Sequence, residues 1–134
     1  MINNMKKIIL TLFLIGSFSF ISNAAFDIYD DISNAIQSGN SSVIAGYFNT
    51  TVDLTILAQE EVYSKTQAEI ILKDFFSKNT PKSFSMLHKG TSKEGSMYGI
   101  GSLLTNQGGS FRVYFYLKQI GGKNFIQELR FEKQ

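Results

Sequence analysis

Few side chains in this sequence could do chemistry, and His88 is the first of them. It is the single histidine of the chain, and imidazole is the one side chain whose ordinary pKa lies near neutrality. On a strand it shares the parity of Phe84 and Met86, which aims it at a core or a pocket. Acid–base work there would need an orienting carboxylate and a polar cavity. The acids are poorly placed for that: Asp53 alternates with Val52 and Leu54 and so points outward, and Glu128 shares a face with Arg112 and Arg130. Tyr63 and Tyr98 could add hydroxyls to a pocket walled by Phe76 and Phe115, although a buried tyrosine ordinarily just satisfies one hydrogen bond.

The chain has no cysteine, which excludes a thiolate nucleophile, a disulfide framework and any Cys-based zinc or iron–sulfur site. One histidine likewise excludes a two-histidine metal motif. No metal and no cofactor are expected, because no glycine-rich turn joins a strand to a helix and no carboxylate-rich calcium loop is present. Gly99 and Gly101, two apart within a strand, indicate close approach by another element or sharp sheet curvature.

The elements that must position these groups follow from periodicity. Ile28, Tyr29, Ile32, Ala35 and Ile36 recur at helical spacing, with Asp27, Asp30 and Asp31 at the N-terminal end and Gly39 as the stop. A short second helix, capped by Asn40 or Ser41, carries Val43, Ile44, Tyr47 and Phe48 on one side. Asn49-Thr50-Thr51 reads as loop. Val52, Leu54 and Ile56 then alternate with Asp53, Thr55 and Leu57 as a half-buried strand; Gln59-Glu60-Glu61 breaks it, and Val62-Tyr63 pairs back. Ser64 to Gln67 forms a capping box ahead of Ala68, Ile71, Leu72, Phe75 and Phe76, a third amphipathic helix ended by Asn79-Thr80-Pro81. Four strand-like runs complete the chain, over 83–92, 96–105, 110–120 and 124–133.

The last hairpin can be tested for register. A two-residue Gly121-Gly122 turn would put Phe115 opposite Glu128, with the two apolar sets on opposite faces. A three-residue connection with a left-handed glycine pairs Ile120 with Asn124 and brings Phe115 opposite Leu129 and Val113 opposite Phe131. The bulged connection is therefore expected. In that register Arg112, Tyr114 and Tyr116 share the other face with Glu128 and Arg130. Such a face is either solvated sheet with cross-strand ion pairs or an interface, since Tyr and Arg are favoured at binding hot spots.

The 13 basic against 11 acidic residues give a formal charge of +2, and Lys6 and Lys7 supply that excess. They precede an apolar run over 8–21, and Ser22-Asn23-Ala24 places small residues at −3 and −1 for cleavage between Ala24 and Ala25. The run is shorter than the roughly 20 residues of a bilayer span. A signal peptide over 1–24 is expected ahead of one domain over 25–134, with a periplasmic or secreted destination and no membrane span after its removal. The remaining domain is formally neutral, so nucleic acid is not an expected partner.

The order helix, helix, short hairpin, helix, four long strands resembles the nuclear transport factor two-like fold. That resemblance implies an α+β, cone-like fold: three N-terminal helices, the third after a short β-hairpin, packed on a strongly bent antiparallel sheet ending in four long strands. A pocket often remains at the open end. More closely, Tyr47-Phe48, Val52-Asp53-Leu54-Thr55-Ile56, Tyr63-Ser64-Lys65, Leu72 to Phe76, Phe111 to Leu117 and Gln127 to Phe131 resemble a family of small exported Bacteroidetes-type proteins, domain of unknown function 4783. The family brings no assigned activity. Ketosteroid isomerase and scytalone dehydratase, similar in fold, hold an acid–base residue inside the cone, but fold alone does not transfer it. The leading expectation is an exported non-catalytic domain that binds a small apolar or amphipathic ligand or a protein partner, with Arg112, Tyr114, Tyr116 and Arg130 as the face of a homodimer. The alternative is a small lyase or isomerase using His88 in the cone pocket.

Overall fold

The computed structural model describes residues 27–134; the expected signal peptide over 1–24 and the expected cleavage between Ala24 and Ala25 lie outside the described residues. Helix α1 (Ile28–Gln37) starts at Asp27, whose carboxylate accepts from the Tyr29 N–H at 3.0 Å, and buries Tyr29, Ile32, Ala35 and Ile36. Helix α2 (Ser41–Gly46) is capped by Asn40. It is shorter than expected: Val43 is exposed, and Phe48 belongs to the next strand. Strand β1 (Phe48–Ile56) thus takes in Asn49-Thr50-Thr51, read above as loop.

The chain reverses at Leu57-Ala58 into β2 (Gln59–Ser64), with Ile56 opposite Gln59. Gln59-Glu60-Glu61 is therefore strand and not its interruption. Both halves of the capping box form at the start of α3 (Lys65–Lys78), which buries Ala68, Leu72, Phe75 and Phe76. Strands β3 (Pro81–Thr91), β4 (Met97–Thr105), β5 (Ser110–Ile120) and β6 (Lys123–Lys133) follow.

The six strands form one sheet in the order β2-β1-β6-β5-β4-β3. Every hairpin-linked pair is antiparallel, as a short connection requires. β1 and β6 are joined by most of the chain, which removes that requirement, and they pair parallel. The fold is α+β with a helical N-terminal part on a curved, unclosed sheet, as expected, and this one parallel pairing departs from an all-antiparallel sheet.

The last hairpin departs from expectation in an instructive way. Its turn is the two-residue Gly121-Gly122, with φ of 58° and 77°, pairing Ile120 with Lys123. Yet Phe115 faces Leu129 and Val113 faces Phe131. The compensating residue is Gln127, a bulge between the Tyr116–Glu128 and Leu117–Ile126 pairs. The extra residue demanded by the apolar pattern sits inside β6 instead of in the turn.

The helices cover the inner face of the sheet, and aromatic rings fill the space between. Phe75 stands 4.8 Å from Phe131, 5.3 Å from Phe111 and 5.5 Å from Phe76, centroid to centroid, edge-on to the last two and tilted against the first. Over Gly99 lies the ring of Phe115, and over Gly101 that of Phe84. The two glycines lack a Cβ where these rings need room.

Candidate functional site

The five residues expected to line a cone pocket do not converge. Phe115 is fully buried and Phe76 nearly so, both as core. Tyr98 is exposed on the other face of the sheet, its ring lying across Gly90. Tyr63 is half-buried at the β2 edge and lines a cleft of about 260 Å³ against the C-terminal end of α3. Burial, then Glu61, pushes its phenol above the ordinary tyrosine range.

His88 does not keep the parity of Phe84 and Met86. Those two pair with the inward-facing Leu103 and Gly101, but Leu87 is an extra residue in β3, and His88 then falls opposite Ile100 in the outward register. It is exposed, in a shallow cleft of about 250 Å³ that also includes Tyr29, Asp30, Ser33 and Lys89. Two carboxylates lie at this edge: Asp30 lines the same cleft, and Asp27 is paired with Lys89 at 3.5 Å.

Arg112, Tyr114, Tyr116 and Arg130 do come together, on the outer face of the sheet. Strand pairing arranges that face in rows. One row runs Val62, Asp53, Glu128, Tyr116, Tyr98 and Gly90 from β2 to β3. The next runs Glu60, Thr55, Arg130, Tyr114, Ile100 and His88. Glu132 and Arg112 begin a third, continued by Ser102. Acids gather on the β2–β1–β6 side and uncharged rings on the β5–β4 side. Between them Ile100, Arg112, Tyr114, Glu128, Arg130 and Glu132 enclose a shallow depression of about 310 Å³.

Arg130 organises this face. Its guanidinium donates to Glu128 in its own strand and reaches across β1 to Glu60, at 3.7 Å. The hydrogen bond to Glu128 holds it above its ordinary pKa against the opposing effect of desolvation, with further help from the charges of Glu128, Glu60 and Asp53. The span from Arg130 to Glu60 passes the row position of Thr55, which is buried although it lies on the outward face. Thr55 Oγ1 and Asp53 Oδ1 are buried there without a hydrogen-bond partner. Asp53 faces outward, as alternation implies, but as part of this charged row and half-buried. Tyr114 is raised above the usual tyrosine range by burial and then by Glu128, against the opposing charge of Arg130, with Tyr116 and Tyr98 adding to the shift.

Alternation was enough to place Arg112, Tyr114, Tyr116 and Arg130 on one face. Ile100, Asp53 and Thr55 were missed as members of it. Ile100 has outward parity between Gly99 and Gly101, a signal that was available; the parallel β1–β6 pairing that brings in Asp53 and Thr55 has none in local sequence. Among the described residues no group of acids and His88 is arranged to hold a metal ion. Among them, too, no helix is long and apolar enough to cross a membrane.

Comparison with known proteins gives a consistent picture. A family model described as "Domain of unknown function (DUF4783)" matches residues 29–132. The chain is similar to the crystal structure of a DUF4783 family protein from Bacteroides uniformis, with 30% identity, a TM-score of 0.75, and coverage of 81% of this chain and 98% of that one. It is similar to another from Bacteroides fragilis at 30% identity and a TM-score of 0.74, covering 81% of this chain and 100% of that one. An NTF-2 like protein of unknown function from Silicibacter pomeroyi shares the fold at 9% identity and a TM-score of 0.57, over 80% of this chain and 90% of that one. No curated protein matches the chain.

Proposed function

The chain belongs to the DUF4783 family, and from that premise we propose that it is an exported, non-catalytic binding domain whose working surface is the outer face of the sheet, with a second copy of itself as partner. The observation that carries this reading is the convergence of Tyr98, Ile100, Tyr114 and Tyr116 into one strip bordered by Arg112, Arg130 and four acids. Aromatic and arginine side chains dominate binding energy in interfaces, with charges at the rim setting orientation. The strip is also self-complementary. A two-fold axis through it lays the β5–β4 side, carrying Arg112, over the acidic β2–β1–β6 side of the other copy.

The filled interior supports placing the function outside the cone. Phe115, Phe131 and Phe84 take up the space a ligand would need there. The acid–base alternative drew its support from an inward His88, and the bulge at Leu87 removes that support. Export rests on the leader sequence.

The test is native mass spectrometry of the protein recovered from its own periplasm. The expected species is a dimer of chains that begin at Ala25, and Arg112→Ala combined with Tyr114→Ala is expected to yield monomer with unchanged circular dichroism. A strict monomer before mutation would overturn the dimer, and an uncleaved N-terminus would overturn the cleaved signal peptide.

A further inference from the structure

Leu57 is the one non-glycine residue with positive φ, at 59°, among the described residues. It is the first of two residues that join Ile56 to Gln59, a position where a tight hairpin favours glycine. A branched side chain is strained in that conformation. Core packing does not explain its presence, because the side chain is 43% exposed. What Leu57 does is wall a cleft of about 260 Å³ between the β1–β2 turn and the end of α3. Ile56, Ile71, Phe75 and Tyr63 line it as well.

The rim of that cleft carries one acid and one ammonium, Asp74 and Lys78, at the C-terminal end of α3. The last carbonyls of α3 point toward this end of the helix, where the helix dipole is negative. Asn79 spends its amide N–H on the Phe75 carbonyl at 3.0 Å and keeps its side-chain oxygen as an acceptor. Asp74 already holds an ammonium, that of Lys78 at 2.9 Å. Both of those side chains are well exposed, at 63% and 71%, so the pair is of the weak, solvent-screened kind and opens readily.

We propose that this cleft binds a small amphipathic amine, its ammonium on Asp74 in place of Lys78 and its apolar body between Leu57, Tyr63, Ile71 and Phe75. The volume suits a body of about six carbons and is below that of a drug-sized pocket. The site is separate from the outer sheet face and stands whether or not the chain dimerises.

Titration of the purified protein with n-hexylammonium, n-hexanoate and n-hexanol, followed by amide chemical shifts, tests the proposal. Hexylammonium is expected to shift Leu57, Gln59 and residues 74–79 saturably, and hexanoate to bind at least about tenfold more weakly. Asp74→Asn is expected to abolish the preference for amine over alcohol. Leu57→Gly is expected to raise the thermal midpoint by relieving strain, yet to weaken hexylammonium binding about fivefold through lost apolar contact. Equal or tighter binding of hexanoate, shifts centred elsewhere, no saturable shift, or wild-type affinity in Leu57→Gly would each overturn it.

Discussion

Gly101 and Gly99 decide by the absence of one carbon how closely the rings can pack on β4. A Cβ on Gly101 would lie 2.2 Å from Phe84 Cζ and 2.8 Å from the carbonyl oxygen of Ser85, and one on Gly99 would lie 2.3 Å from Phe115 Cζ. The Ser85 carbonyl cannot yield without moving the β3 backbone, so Gly101→Ala is expected to destabilise by about 2–3 kcal/mol in urea unfolding. Gly46→Ala, where the new methyl meets nothing within 4 Å, is the control and is expected to be neutral or slightly stabilising. The spacing of the two glycines already indicated close approach. The opposite case is His88, whose direction was misread because one extra residue, Leu87, reverses the alternation, and no residue type in Ser85-Met86-Leu87-His88 announces a bulge.

At the scale of elements, the β5–β6 hairpin shows how two requirements on one segment are reconciled. Both turn glycines adopt positive φ, which suits the right-handed twist of the flanking strands. That turn alone would set Phe125, Leu129 and Phe131 out of phase with Phe111, Val113 and Phe115, and Gln127 restores the phase from Glu128 onward. Phe125 stays on the tip side of the bulge, opposite Lys118, with Lys123 5.4 Å from its ring centroid. Gly122→Ala is expected to cost about 1 kcal/mol through backbone strain. Deletion of Gln127 is expected to abolish cooperative unfolding, because it forces Leu129 and Phe131 or the turn out of register; a sharp urea transition in the deletion variant would refute the role given to the bulge. The Phe and Leu spacing showed that one residue had to be extra. Its position was illegible, since the turn and the strand interior can each absorb it.

For the whole molecule, burial and nearby acids raise Tyr47, Tyr63 and Tyr114 above the ordinary tyrosine value. Burial is the leading cause for each, joined by Asp31, Glu61 and Glu128 respectively. A raised folded-state pKa means that the fold favours the neutral phenol. The resulting stability is fully present below the unfolded value, near ~10, and is lost as pH rises through the folded value. Thermal midpoints are therefore expected to fall above about pH 10, while the absorbance of tyrosinate develops later in the native protein than in urea. Simultaneous ionisation in both states would contradict this. The helix caps, the faces of α1 and α3 and the alternating strands were set by local sequence, because each depends on residues a few positions apart: Asp27, Asn40 and the Ser64–Gln67 box act on the next turn of chain, and Phe111 to Leu117 alternate by pleat alone. Only the tertiary structure decided that β1 lies parallel to β6, that Arg130 reaches Glu60 across it, and that Leu57 walls a cleft at the end of α3. Those contacts join segments tens of residues apart, and no local periodicity encodes which strand becomes another's neighbour.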